Sequence, residues 1–276
     1  MKKSLLFALP ILCFAVGGLA SCGGDSATTI TVAASESPHA EILNGVVADL
    51  VKEQGYTLNV TVLDWTIQNE GVYSGDYDAN YFQHRPYLQQ YDANDDTLEF
   101  SESYVYTKVF PVAAVHFEPL RIYPGKSEAA DFESKKTTAT YCICADSSNA
   151  ARALTLLAEN GIIDSSVTLD TLPSNIRAVP EENLASLLPD YDYGVLPANT
   201  ALTGKISADP DLPVESNDVR DLRANVVAAS VSRYANDSTY KTKIDVLANA
   251  LLDDKVASFI ASNYNNVVAD ARKDYR

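Results

Sequence analysis

Thr29-Ile30-Thr31-Val32-Ala33-Ala34-Ser35-Glu36-Ser37-Pro38 is the stretch from which the fold can be read. Its first six residues, β-branched and mostly apolar, form a short buried strand. Ser37 then offers a helix cap and Pro38 occupies a first helical position, where the missing proline N–H is no loss. Ile42, Leu43, Val46, Val47, Leu50 and Val51 recur at helical spacing until Gly55 stops the run, and Leu58 to Leu63 reads as the next strand. A strand–helix–strand unit of this length closes by default as a right-handed parallel crossover.

The same alternation continues downstream. A helix is predicted from about Thr66 to Tyr73, ending at Gly75, and then a polar loop, Asp76 to Asn80, runs into an aromatic segment. Two β-rich stretches follow at Tyr104–Val109 and Val112–Phe117, and a strand at Thr138–Cys144 feeds a helix over Asn149–Asn160. Asp192–Leu196 reads as a strand, Asn199 opens a short helix, and Ala224–Ser230 is a further strand. Two C-terminal helices span about Ser238–Leu252 and Lys255–Asn263. Alternating elements over this length give an α/β fold in two lobes, with no repeat or heptad array.

The 276 residues are 46% hydrophobic and 21% charged, a balance that fits neither wholesale disorder nor a multi-span membrane protein. Lys and Arg number 21 against 37 Asp and Glu, for a formal net charge of -16. Such a surface repels phosphate backbones, so nucleic acid is not an expected partner. It does not disfavour a small zwitterion.

Upstream of the first strand, Lys2 and Lys3 precede an apolar run from Leu5 to Leu19, closed by Leu19-Ala20-Ser21-Cys22. This is the layout of a secretory signal over residues 1–21. It resembles a bacterial lipobox, in which Cys22 is acylated and becomes the first mature residue. Residues 22–29, small and polar, read as a flexible tether. Cys142 and Cys144, two apart in a strand, are expected as buried core thiols; a bridge between them would be strained. No second Cys/His pair stands at zinc spacing, and His39, His84 and His116 lie far apart, so neither a metal nor a cofactor is expected. Nucleotide-binding, hydrolase and metalloprotease motifs are all missing from the sequence, so it does not read as an enzyme.

Polar and aromatic residues cluster instead at strand ends and helix starts, the places where open α/β sheets bind ligands. The densest run is Asp78-Ala79-Asn80-Tyr81-Phe82-Gln83-His84-Arg85-Pro86-Tyr87. That run, together with Ser37-Pro38-His39-Ala40-Glu41-Ile42-Leu43, resembles the two hallmark stretches of the methionine-binding lipoproteins, the NlpA-type family, which supply substrate to methionine ABC importers. Val115-His116-Phe117-Glu118-Pro119 resembles a third, and the resemblance spans about residues 30 to 270.

The resemblance implies a two-lobe periplasmic-binding-protein (type II) fold with a two-crossing hinge. Lobe 1 would comprise residues 30–114 and 224–276, and lobe 2 residues 115–223. It implies a monomeric, lipid-anchored receptor facing the periplasm or cell exterior. Such a receptor captures methionine or a related small zwitterion and delivers it to ABC permease and ATPase subunits. A zwitterion entering a dry cleft loses its hydration, so each of its charges needs a partner. By resemblance Arg152 takes the carboxylate through a bidentate guanidinium fork. Asn149 matches a family amide, though it also reads as a helix cap. Asn199 and Asn225 match further amides and would otherwise be turn residues. Phe82 and His84 match the side-chain pocket, with Tyr87 beside them, while His116 has a hinge-side position or is a core histidine. Trp65 stands where the family usually has Tyr. Ala145-Asp146-Ser147-Ser148-Asn149 and Pro197-Ala198-Asn199-Thr200 also depart from the family pattern. A cleft retuned for another small amino acid or a methionine-containing short peptide, or a surface adhesin, are the alternative readings.

Overall fold

A computed structural model describes residues 27–264 and 267–276. The expected signal segment, the Cys22 lipidation site and most of the tether lie outside the described residues.

The first unit forms as expected. β1 (Thr29–Ala34) is followed by wide helical turns at Glu36–Ala40 and Leu43–Val47, α1 (Ala48–Glu53) and β2 (Thr57–Val62). β1 and β2 pair in parallel from Thr29↔Thr57 to Ala34↔Val62. Thr57 N–H also donates to the Thr28 carbonyl, so the expected tether stops short of its last residues, which are tied to the sheet. Next come α2 (Trp65–Ser74), β3 (Ala79–His84), α3 (Arg85–Ala93) and the long β4 (Val109–Phe117). A second group holds β5 (Arg121–Pro124), α4 (Phe132–Lys135), β6 (Tyr141–Cys144), α5 (Ser147–Glu159), β7 (Ile176–Val179), α6 (Glu181–Leu187), β8 (Tyr193–Leu196), α7 (Ala198–Thr203) and α8 (Arg220–Arg223). The chain then returns through β9 (Ala224–Ser230), α9 (Val231–Asn236), α10 (Ser238–Leu251), α11 (Asp254–Asn263) and β10 (Ala269–Asp274).

These strands build two sheets, one per lobe. The larger has the order β10-β4-β9-β3-β1-β2 and the smaller β5-β8-β6-β7. β3 is parallel to β1, while β9 pairs antiparallel with β3, β4 with β9 and β10 with β4. In the smaller sheet β6 runs parallel to β7 and β8, and β5 is the antiparallel edge. The chain crosses between sheets twice, from Phe117 to Arg121 and from Leu196 to Ala224. β4 stays in the larger sheet through Phe117, so the expected boundary at 114/115 falls inside a strand. Separate apolar cores support the lobes: Ile30, Val32, Leu43, Ile244 and Leu247 in the first, Ile122, Ile143, Leu157 and Val195 in the second. Ala198 of α7 packs into the first core, so the second crossing is anchored in both lobes.

Two expectations fail for a shared reason. The predicted strand at Tyr104–Val109 is irregular up to Lys108. The N–H groups of Thr107, Lys108 and Val109 donate to the buried Asp92 carboxylate at 2.8, 2.6 and 3.1 Å, so a side chain replaces the ladder. Conversely, the stretch from Asp78 to Asn80, which reads as a polar loop, enters β3 in the centre of the larger sheet. Its polar groups are paired: Asp78 accepts from Thr31 N–H at 3.0 Å and Arg233 at 2.8 Å, and Asn80 donates to Asn69 at 2.8 Å.

Candidate functional site

Seven element ends converge between the lobes. Trp65 opens α2, whose cap Asp64 accepts from Thr66 N–H at 2.9 Å. Phe82 and His84 end β3, and His84 caps α3, its Nδ1 accepting from Tyr87 N–H at 3.3 Å. From the smaller lobe, Asn149 and Arg152 lie on the first turns of α5, capped by Asp146, which accepts from Asn149 N–H at 2.9 Å. Asn199 starts α7, Glu181 starts α6, and Asn225 lies at the start of β9.

Two adjoining cavities of about 40 Å³ each occupy the space between them. Trp65, Phe82, Tyr87 and Asp146 wall the first; Glu118, Arg152, Pro197 and Asn225 wall the second. Phe82, His84, Asn149, Glu181 and Asn199 border both. The three rings stand edge to face, Trp65–Tyr87 at 5.5 Å and Phe82–Tyr87 at 5.9 Å between centroids. A larger groove of about 560 Å³ lines the outside of α5 with Ala151, Leu154 and Val167. Its walls come from the smaller lobe alone, so it lacks the two-sided polar convergence of the cleft.

Hydrogen bonding fixes the state of His84. Its Nδ1 accepts, so Nε2 carries the proton and donates to Asn149 Oδ1 at 3.3 Å, across the cleft. Burial, with the nearby Arg223 and Arg152 charges, holds the imidazole well below its usual pKa, so it is neutral.

Eight of the nine residues singled out from the sequence line these cavities. His116 does not. It is fully buried in β4, its Nδ1 accepting from the Tyr81 hydroxyl and its Nε2 donating to Glu118 at 2.6 Å. Glu118 in turn accepts from Asn199 N–H at 2.9 Å. Burial opposes its ionisation, but the His116 hydrogen bond and the two histidines hold the carboxyl below its usual range.

Arg152 differs from expectation in how its donors are used. It is buried, but its fork faces Glu215: Nε donates to Oε1 at 2.9 Å and Nη2 to Oε2 at 2.5 Å. Nη2 also donates to the Glu118 carbonyl at 2.9 Å, and Nη1 to Asn149 Oδ1 at 3.0 Å. A bidentate grip on a ligand is therefore unavailable; what Arg152 offers the cavity is the Nη1 edge. Arg223, half-buried nearby, donates to Ser148 Oγ at 3.2 Å and has its pKa pushed down to about 10 by burial and by Arg152.

Glu215, Glu181 and Arg223 escaped sequence reading, and Glu118 and Asp146 entered it only as members of quoted stretches, with no role assigned. Glu181 begins a helix straight after a strand, but among 37 acidic residues it did not stand out. Glu215 lies 63 residues from Arg152, and only folding brings them together. Two groups of metal-ligating type draw within 4.8 Å: His39, His116 and Glu118, and Cys144, Asp146 and Glu181. In the first, His116 donates to Glu118 at 2.6 Å and His39 Nε2 lies 3.4 Å from the same carboxylate; in the second, Cys144 donates to Asp146 at 2.7 Å. Cys142 and Cys144 are buried free thiols.

Among the described residues no helix is long and apolar enough to cross a membrane. The methionine-binding lipoprotein MetQ of Bacillus subtilis strain 168 is 32% identical to this chain, covering 97% of it and 98% of that protein. Lipoprotein Tp32 of Treponema pallidum superposes with a TM-score of 0.72 at 26% identity, covering 88% of this chain and 99% of that one. A nutrient-binding protein of Burkholderia cenocepacia, solved with methionine bound, shares the fold at a TM-score of 0.74 and 24% identity, covering 88% and 99%. The family model for NlpA lipoproteins matches residues 30–272. The chain is therefore a member of the NlpA lipoprotein family, with a binding cleft between two α/β lobes.

Proposed function

We propose that this protein captures methionine or a close relative between its lobes and delivers it to an ABC importer. Its anchor is the lipid on Cys22, and it faces the periplasm or the cell exterior. In this reading the lobe of the larger sheet (residues 30–117 with 224–276) and the lobe of the smaller sheet (118–223) clamp together over the ligand. The observation that carries it is the convergence on one cleft of neutral His84, three amides (Asn149, Asn199 and Asn225), the Arg152 edge and a three-ring wall. Amides both donate and accept, so they can hold an ammonium and a carboxylate side by side. The rings of Trp65, Phe82 and Tyr87 suit a thioether, which packs against aromatic edges. His116 acts behind the wall by orienting Glu118. The name of the Bacillus subtilis relative supports the same ligand.

Calorimetry on protein that has been unfolded and refolded, which strips any co-purified ligand, tests the reading. L-methionine, D-methionine, other amino acids and glycyl-methionine form the panel. Saturable one-to-one binding of L- or D-methionine is expected. Binding of another amino acid or of the dipeptide alone reassigns the ligand, and no binding by any of them sinks the receptor reading.

A further inference from the structure

Accepting that reading of the cleft, we infer that Glu181 is the anchor for the ligand's ammonium group, so that the cationic end of the ligand is held more firmly than its carboxylate.

Glu181 opens α6 on the cleft floor and borders both cavities. Its Oε1 is fixed by Asn199 Nδ2 and Thr200 Oγ1, each at 3.0 Å. Its Oε2 has only the Cys144 thiol, at 4.0 Å. No Lys, Arg or His nitrogen lies within salt-bridge distance of it among the described residues, although the other carboxylate lining the second cavity, Glu118, has two histidines. The groups nearest it are of its own sign or neutral: Asp146 before α5, Glu118 after β4, Cys144 on β6, and Tyr87 across the cleft; neutral His84 and Arg152, the latter paired with Glu215, border the same cavity. Burial first, then the Asp146 and Glu118 charges, pushes its carboxyl up to about 7, against the pull of its two hydrogen bonds.

Arg152 meanwhile is neutralised by Glu215. The cleft floor thus carries a carboxylate with a free oxygen and no counter-ion, in a cavity also walled by Trp65, Phe82 and Tyr87. An ammonium placed there supplies the missing charge. Because it stabilises the ionised carboxylate, ligand binding near pH 7 releases a proton, and affinity declines as pH falls below 7.

The test compares L-methionine with its des-amino analogue 4-(methylthio)butanoate, by calorimetry at pH 7 in two buffers of different ionisation enthalpy. Wild type should prefer L-methionine at least tenfold and release a fraction of a proton on binding it. Glu181→Gln, isosteric with the native side chain, should erase both the preference and the proton release; Glu182→Gln, exposed one residue on, should erase neither. An unchanged preference and proton count in Glu181→Gln overturns the assignment, as does equal weakening of both compounds. If the variant does not fold, wild type alone decides. Affinity for L-methionine that falls from pH 8 to pH 6, with the analogue unaffected, supports the anchor, and a flat profile overturns it. If wild type takes neither compound, the receptor reading fails as well, and that outcome is visible before any variant is made.

Discussion

Arg152 shows how one side chain can be assigned the right place and the wrong partner. Its position at the start of α5 aims it at the cleft, but Glu215 occupies its fork. Both side chains are mostly buried, at 4% and 11% exposure, so neither can be left without the other. Glu215→Gln or Arg152→Met should each destabilise the fold by about 3–5 kcal/mol, since each strands a buried charge. The double variant should lose clearly less than the sum, by up to about 3 kcal/mol of coupling. Urea unfolding of the three variants checks this; strict additivity would show the pair to be energetically idle.

At the scale of elements, the cleft is built from helix starts and strand ends held by caps. His84 and Asp146 each cap a helix while lining a cavity, and Asp64 caps one beside Trp65, so the helix ends and the cleft wall are set by the same hydrogen bonds. The smaller sheet depends on a close backbone approach at Gly125, after β5. A Cβ there would press on the carbonyl oxygens of Tyr191 and Leu188, which cannot turn aside as a side chain can. Gly125→Ala should therefore cost near the upper end of the about 1–3 kcal/mol typical of overpacking. Thermal melting reads this directly, and an unchanged melting temperature would mean that the segment from Leu188 to Tyr191 yields freely.

For the whole molecule, the telling feature is a buried network at the crossings. His39 donates to Asn225 at 3.1 Å and lies 3.4 Å from Glu118, which also meets His116 and Asn199. Four separate chain segments are joined there. Burial, only partly offset by Glu118, lowers the pKa of His39 to about 4. Between pH 6.5 and 4 the unfolded chain takes a proton that the folded chain refuses. Stability supplied by neutral His39 is thus complete above pH 6.5 and is lost as pH falls toward 4, up to about 3 kcal/mol. Glu181 works in the opposite sense: its raised pKa favours the fold at low pH, and that benefit fades as pH rises through 7. Urea midpoints at pH 7 and pH 4.5 separate the two. His39→Gln should show a shallower acid loss than wild type; an equal loss would place the acid sensitivity elsewhere.

Sequence alone determined the local structure. The β1–β2 unit, β9 at Ala224–Ser230 and α10 over Ser238–Leu251 were legible because apolar periodicity and capping residues act over a few positions. The eight cavity-lining residues were legible through the resemblance to the methionine-binding lipoproteins; local signals mark only the strand ends and helix starts near which they sit. Tertiary structure decided what depends on distant partners. The entry to β3, Asp78 to Asn80, reads as a loop until Asn69, Thr31 and Arg233 satisfy its polar groups, and Tyr104–Val109 reads as a strand throughout until Asp92 takes its N–H groups. The charge balance of the cleft followed the same rule. Whether a guanidinium or a carboxylate is free depends on which opposite charge folding brings beside it, and Glu215 comes to Arg152 while no cation comes to Glu181 among the described residues.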